Sequence, residues 1–261
     1  MCELFAINSP FKIRANDFLR EFFSHGTEHP HGWGMATFFG SGSNCGVSLE
    51  KEAAPAFKSE YLKQRLRFPL DADKLIAHIR LATKGSLDYE NTHPFVLRDK
   101  TSRAWTLAHN GTIFDCDALN KYARVQQGAT DSERILMYLI EQINHAADRK
   151  GSPLSDEERF SVAESVILKI TPENKVNLLL YDGDLLYAHT NYKNSLCSTR
   201  IEDAIVISTR PLGLRQWTFF PMNTLTAFKD GKIKHKAAPH QNEFFDSEEK
   251  NRLLFIDYAS L

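Results

Sequence analysis

Cys2 carries the sharpest chemistry in the sequence, because removal of Met1 would leave its thiol and a free α-amine on one carbon. An α-amine titrates at about 7.7–8.0, far below lysine, so a useful fraction of it is neutral near a pH of about 7.5. It can take the thiol proton and later return it to a leaving group. A small second residue such as cysteine favours loss of the initiator. Taken alone, a Met-Cys start is more ordinarily a buried, apolar thiol in a first strand. Thiol attack on a carboxamide also needs oxyanion donors and groups that grip the substrate. Ala108-His109-Asn110-Gly111-Thr112 offers the Asn110 side-chain NH2 and the Gly111 N–H as an oxyanion hole, with a plain Asn-Gly turn as the alternative. His78-Ile79-Arg80-Leu81-Ala82-Thr83 ends in a guanidinium and a hydroxyl suited to an α-carboxylate, unless Arg80 is a surface ion-pair partner. Asp131, in the first turn of a helix, suits a substrate ammonium or simply the helix dipole. His25, His29 and His31 beside Gly32-Trp33-Gly34 form the densest histidine cluster, but their spacing fits no common zinc motif. The reading is therefore no metal, with Gly32 and Gly34 marking a close backbone approach.

Composition narrows the classes. The 261 residues are 42% hydrophobic with net charge −1. That is enough for one sizeable core, with no basic track for nucleic acid or an acidic membrane. The longest apolar runs, such as Val176 to Tyr181, are strand-sized and far short of a membrane span. The start lacks a secretory pattern, which gives a cytoplasmic expectation. Cys2, Cys45, Cys116 and Cys197 are far apart, without a Cys-x-x-Cys pair, and read as reduced thiols.

The elements that must position these groups follow from periodicity and turn residues. Strands are expected at Cys2 to Asn8 (ended by Ser9-Pro10), Trp33 to Phe39, Cys45 to Glu50, Lys74 to Arg80 and Arg103 to His109. Helices are expected at Asn16 to Phe23 and Ser59 to Leu66. A capping-box pattern, Thr130 with Glu133, opens a further helix whose Ile135, Leu136, Leu139, Ile140 and Ile143 share one face. Ser155 to Ile170 is a second amphipathic helix. Strands return at Val176 to Tyr181, Leu185 to His189, Ala204 to Ser208 and Thr224 to Lys229, the last with a hairpin at Asp230-Gly231. His240 to Asn251 and Leu253 to Tyr258 read as a terminal helix or arm. Strands, then two helices, then strands fit two sheets with helical layers, an α+β architecture. Residues 1 to 261 read as one domain, with 236 to 261 a C-terminal extension.

Five segments, in order, resemble the class II glutamine amidotransferases, a branch of the N-terminal nucleophile hydrolases. They are Met1-Cys2-Glu3-Leu4; His31-Gly32-Trp33-Gly34; Ile76-Ala77-His78-Ile79-Arg80 through Asn91-Thr92-His93-Pro94-Phe95; His109-Asn110-Gly111; and Thr130-Asp131-Ser132-Glu133. Ser208-Thr209-Arg210-Pro211-Leu212 extends the likeness to about residue 215. The pattern is similar to the bacterial YafJ-type stand-alone members, whose relatives include γ-glutamyl amide hydrolases of thiol metabolism. The resemblance implies a four-layer αββα sandwich with Cys2 as nucleophile and Asn110 and Gly111 as oxyanion hole. It implies Arg80 and Thr83 on the substrate carboxylate, Asp131 on its amino group, His93 near the pocket without a proton-transfer role, and Trp33 lining the site. Members fused to synthases usually read Arg-Trp-Ala-Thr-His where this chain reads Arg80-Leu81-Ala82-Thr83-Lys84. The missing aromatic and histidine bear on the fit around the carboxylate and on any lid.

The expected function is cleavage of the γ-carboxamide of glutamine through a Cys2 thioester, without cofactor. The alternatives are a γ-glutamyl amide or peptide hydrolase, and a non-catalytic amino-acid-binding relic. The expected partner is the small-molecule substrate. A separate ammonia-acceptor protein and a homodimer are compatible with the sequence; nucleic acid and membrane are not expected.

Overall fold

The computed structural model describes residues 2–82, 86–248 and 250. Among them the strands are β1 (Glu3–Arg14), β2 (Trp33–Phe39), β3 (Gly46–Glu52), β4 (Asp71–Ile79), β5 (Phe95–Arg98), β6 (Ala104–Thr112), β7 (Lys175–Tyr181), β8 (Leu186–His189), β9 (Cys197–Ile201), β10 (Ala204–Ser208), β11 (Thr218–Phe219), β12 (Thr226–Lys229) and β13 (Lys232–Lys236). The α-helices are α1 (Asn16–Ser24), α2 (Glu60–Arg65), α3 (Asp117–Asn120), α4 (Asp131–Lys150) and α5 (Asp156–Ile170). A seven-stranded sheet runs β11-β9-β10-β1-β4-β2-β3, and a six-stranded sheet runs β13-β12-β8-β7-β6-β5. Every pairing is antiparallel.

Alternation along the strands sorts the apolar residues into three layers. Leu4 and Ala6 of β1, Ile76 of β4, Ala108 of β6 and Leu179 of β7 form the core between the sheets. The opposite parity of the first sheet, including Phe5, Ile7, Trp33, Met35 and Leu75, packs under Phe18, Leu19, Phe22 and Phe23 of α1. The outer face of the second sheet, with Trp105, Leu107 and Leu178, packs under α4 and α5. The result is a four-layer αββα sandwich, as the resemblance implied; the order of elements had given two sheets with helical layers.

Three local expectations change. Ser9-Pro10 does not end β1. The pairing with β4 shifts register between Asn8 and Ile13, so the proline sits, exposed, where the ladder is interrupted. The Thr130 cap forms, its Oγ1 accepting from the Glu133 N–H at 3.3 Å. The reciprocal half does not form, because the Glu133 carboxylate accepts instead from Gln127 N and Gly128 N at 2.7 and 2.8 Å. A complete capping box occurs at Ser155 and Glu158. After β13 the chain crosses the second sheet without regular structure through residue 246, held by Ala237 N on Leu225 O and Phe244 N on Asn191 O. The apolar stretch from Leu253 lies outside the described residues. Short strands β5, β9 and β11 carry too few alternating residues to announce themselves.

Candidate active site

Cys2 shares the parity of Leu4 and Ala6 and so belongs to the face between the sheets. Its Sγ accepts from the Leu81 N–H at 3.3 Å and lies 3.4 Å from the Leu81 carbonyl, just past the end of β4. Burial pushes the thiol above its ordinary range. The Leu81 N–H and the Arg80 charge oppose that shift, and the Asp131 carboxylate adds to it. Arg80 and Asp131, from separate elements, therefore both lie within electrostatic reach of this sulfur.

Arg80 is 2% exposed. Its main chain is clamped to the turn before β2, with Arg80 N donating to Gly32 O at 2.8 Å and His31 N donating to Arg80 O at 3.1 Å. Nη1 donates to the Ser86 carbonyl at 2.9 Å. Burial lowers the guanidinium below its ordinary range, opposed by the Cys2 and Asp88 charges. Thr83, expected to help Arg80, lies outside the described residues.

Asn110 and Gly111 close β6. Asn110 has the parity of Ala108 and faces the space between the sheets. It is 4% exposed, and no hydrogen bond holds its side chain among the described residues. Pairing of β6 with β5 stops at Leu107, so residues 108 to 112 have a strand neighbour on the β7 side only. A Cβ on Gly111 would sit 1.9 Å from the Lys175 carbonyl oxygen and 2.5 Å from His109 Nε2, which admits glycine alone. β1 and β6 are in contact across the interior, so the Cys2 and Asn110 strands oppose one another.

Asp131 opens α4 and is tied back to β6. Its Oδ2 accepts from Ile113 N at 2.7 Å, and Oδ1 has only a long contact, 3.3 Å, from the Ser132 hydroxyl. The Ser132 Oγ also meets His109 Nδ1 at 2.9 Å, while His109 Nε2 lies 3.3 Å from Lys175 O. Donation from Nε2 to that carbonyl leaves Nδ1 as the acceptor for the Ser132 hydroxyl, and Oδ1 of Asp131 then keeps acceptor capacity.

His93 is buried and stacks on His78 at 4.1 Å between ring centroids, with neither nitrogen of either ring hydrogen-bonded. Burial drives His93 well below its ordinary range and His78 down to about 3. Both rings are neutral at pH 7, so His93 fits as a pocket wall without a proton-transfer role. Trp33 does not line the space between the sheets. Its parity puts it on the outer face with Phe23 and Tyr61, its Nε1 donating to Glu52 at 3.0 Å. Gly34, its neighbour, makes the approach instead, since a Cβ there would lie 2.1 Å from the His93 carbonyl oxygen.

The histidine cluster resolves into hydrogen bonds. His25 and His29 meet the carboxylate of Glu3, and His31 Nδ1 accepts from Ala82 N at 2.9 Å. Among the described residues no group of three or more His, Cys, Asp or Glu side chains takes a metal-holding arrangement, and no helix is long and apolar enough to cross a membrane. Glu3, His78, His109 and Ser132 were not singled out from residue types. Their signal was adjacency, since each sits beside a candidate or one turn of strand from it.

With this fold and this cluster, the chain belongs to the class II glutamine amidotransferases, whose family model matches residues 1–202. An uncharacterized protein of Methanocaldococcus jannaschii is 30% identical over 261 aligned positions, covering 89% of this chain and 70% of that one. YafJ of Escherichia coli, which carries a glutamine amidotransferase name, is 30% identical over 173 residues, 66% of this chain and 62% of its own length. The solved structure of a predicted glutamine amidotransferase from Pseudomonas aeruginosa superposes with a TM-score of 0.62 at 22% identity, covering 90% of this chain and all of that one. The glutamine phosphoribosylpyrophosphate amidotransferase of Bacillus subtilis superposes at 0.65 and 17% identity over 93% of this chain and 50% of its own. The two structural likenesses concern the fold.

Proposed function

We propose that this chain hydrolyses the γ-carboxamide of glutamine through a covalent Cys2 intermediate. The observation that supports it best is one sulfur, seated on the Leu81 backbone, acted on by both a buried arginine and a buried aspartate from different elements. A cation and an anion within electrostatic reach of a nucleophile suit the α-carboxylate and α-ammonium of an amino acid. Arg80 takes the carboxylate, with Thr83 its expected helper, and Asp131 Oδ1 takes the ammonium. This leaves the γ-carbonyl at the sulfur and its oxygen toward Asn110 and the Gly111 end of β6.

The thiol is raised by burial, so a base must draw off its proton. Once Met1 is removed, the α-amine of Cys2 is that base; with Met1 attached, the same nitrogen is an amide and cannot serve. The amine accepts the thiol proton as sulfur adds to the γ-carbon. The oxyanion is held by the Asn110 carboxamide N–H and main-chain N–H at the Gly111 end. The ammonium then protonates the departing nitrogen, the C–N bond breaks, and ammonia leaves a γ-glutamyl thioester. Water, deprotonated by the same amine, adds to the thioester, and glutamate leaves as the thiol is restored.

Treating the purified protein with a glutamine-like diazo ketone and recording intact mass tests this reading. The expected result is a mature chain beginning at Cys2, one added label on it, and ammonia and glutamate from glutamine. A retained Met1, or an unlabelled Cys2 with no ammonia from any γ-glutamyl amide, would overturn it. Release of amine from larger γ-glutamyl amides in preference to glutamine would move the substrate to that class.

A further inference from the structure

We infer that Glu3 is a positioning residue for the nucleophile: its buried carboxylate anchors the free end of β1 to two separate parts of the fold. This rests on the Cys2 reading above. The residue directly after the nucleophile is a carboxylate, and it is 2% exposed. It has the parity of Phe5 and Ile7, so it points to the outer face, away from the substrate. Among the described residues, each partner of its carboxylate is a base or a cation. Oε2 meets His25 Nδ1 at 2.8 Å, and Oε1 meets His29 Nε2 at 3.2 Å and Arg210 Nε at 2.8 Å. Arg210 is itself held by Glu28, its Nη2 donating to Oε2 at 2.8 Å.

A buried carboxylate is an expensive choice for stability alone, since an apolar side chain of similar volume is often as good. Phe5 and Ile7, next on the same face, show that the outer core accepts apolar residues. The location explains the charge. β1 begins at Glu3, and its pairing with β10 begins only at Phe5 and Ser208, so residues 2 to 4 lack a strand on that side. Side chains and turns replace the missing ladder. Leu4 N donates to Thr209 Oγ1 at 3.3 Å and Thr209 N donates to Leu4 O at 3.1 Å, while Glu3 locks to Arg210, the next residue, and to the turn after α1. A strand end fastened on both faces keeps the sulfur and its terminal amine from fraying. A group misplaced by about 1 Å loses roughly a hundredfold in rate.

The test uses the full chain, with Met1 removal checked by intact mass, and compares the parent with Glu3→Gln, Glu3→Ala and Arg210→Met. Steady-state hydrolysis of glutamine and the rate of Cys2 alkylation by iodoacetamide are both recorded. Glu3→Ala is expected to lower kcat roughly ten- to a hundredfold. KM should stay within about twofold, because Glu3 reaches neither substrate anchor. The alkylation rate should change severalfold, with Arg210→Met shifting both readouts the same way by less. A kcat within twofold of the parent, or a rise in KM with kcat unchanged, overturns the inference whatever happens to the melting temperature. Should the alanine variant fail to fold, Glu3→Gln, which keeps the shape and removes the charge, decides by the same criteria. A parent that hydrolyses no γ-glutamyl amide defeats the function proposed above, and the alkylation rates of parent and Glu3→Gln then still decide the positioning role.

Discussion

Two polar clusters lie on opposite faces of the first sheet, within three residues of each other on β1 and β4, and they are built on opposite principles. On the outer face, Glu3 has both oxygens engaged by His25, His29 and Arg210. On the inner face, no hydrogen bond among the described residues engages the four ring nitrogens of His78 and His93 or the Asn110 carboxamide. Most buried polar atoms in proteins are paired, and one left unpaired costs about 1–3 kcal/mol. A satisfied cluster fixes a shape. An unsatisfied one beside a nucleophile keeps groups ready for something that arrives later. On the function proposed above, the outer cluster builds the fold and Asn110 on the inner side is kept for substrate.

Asn110→Ala should produce the largest effect. Loss of an oxyanion donor costs about 3–4 kcal/mol of barrier, a hundred- to a thousandfold in kcat, with little change in urea midpoint because no hydrogen bond in the free protein is lost. Kinetics and denaturation on the same sample would check it. A large stability loss with intact kcat would place Asn110 with the structural cluster instead.

An intermediate effect is expected from acid. Burial alone would raise the Glu3 carboxyl, but the bonds from His29 and His25, with the Arg210 charge, overcome it and hold the group below its ordinary 4.5. A group depressed in the folded state adds stability that is present above its unfolded value and is lost as pH falls through the folded value. The urea midpoints of parent and Glu3→Gln should therefore differ at pH 7 and converge as the pH drops below about 4.5. A gap that does not narrow at all as the pH falls below about 4.5 would mean that Glu3 matters through packing and not through its charge.

The smallest change belongs to His93→Phe, which forfeits no hydrogen bond and keeps an aromatic ring against His78 and Phe95. A loss within about 1.5 kcal/mol is expected from chemical denaturation. A loss beyond about 3 kcal/mol would show that the ring nitrogens are bonded to buried water and belong with the satisfied cluster.

Much of this was legible before any coordinates. The apolar runs Leu4-Phe5-Ala6-Ile7 and Val176 to Tyr181 read as strands, and Thr130 and Ser155 marked the helix starts. Of the residues the resemblance selected, Arg80 and Asp131 lie within electrostatic reach of Cys2, and Asn110 faces the space between the sheets. What failed had local causes. Pro10 reads as a strand end because its ring removes a donor, yet an interrupted ladder absorbs that loss. Trp33 was assigned to the site by the resemblance, and parity puts it on the other side of the sheet. Glu133 looked like a capping-box partner, and two nearer N–H groups in the preceding loop took it.

By itself the sequence indicated most element types, two sheets with helical layers and a short set of candidate groups for the proposed chemistry, because periodicity and residue chemistry are local properties. Tertiary structure decided which face each group occupies, that His25 and His29 seat a buried carboxylate, and which buried polar atoms remain without partners among the described residues. Those outcomes depend on register and on contacts between residues far apart in the chain, such as Glu3 with Arg210, and no local pattern encodes them.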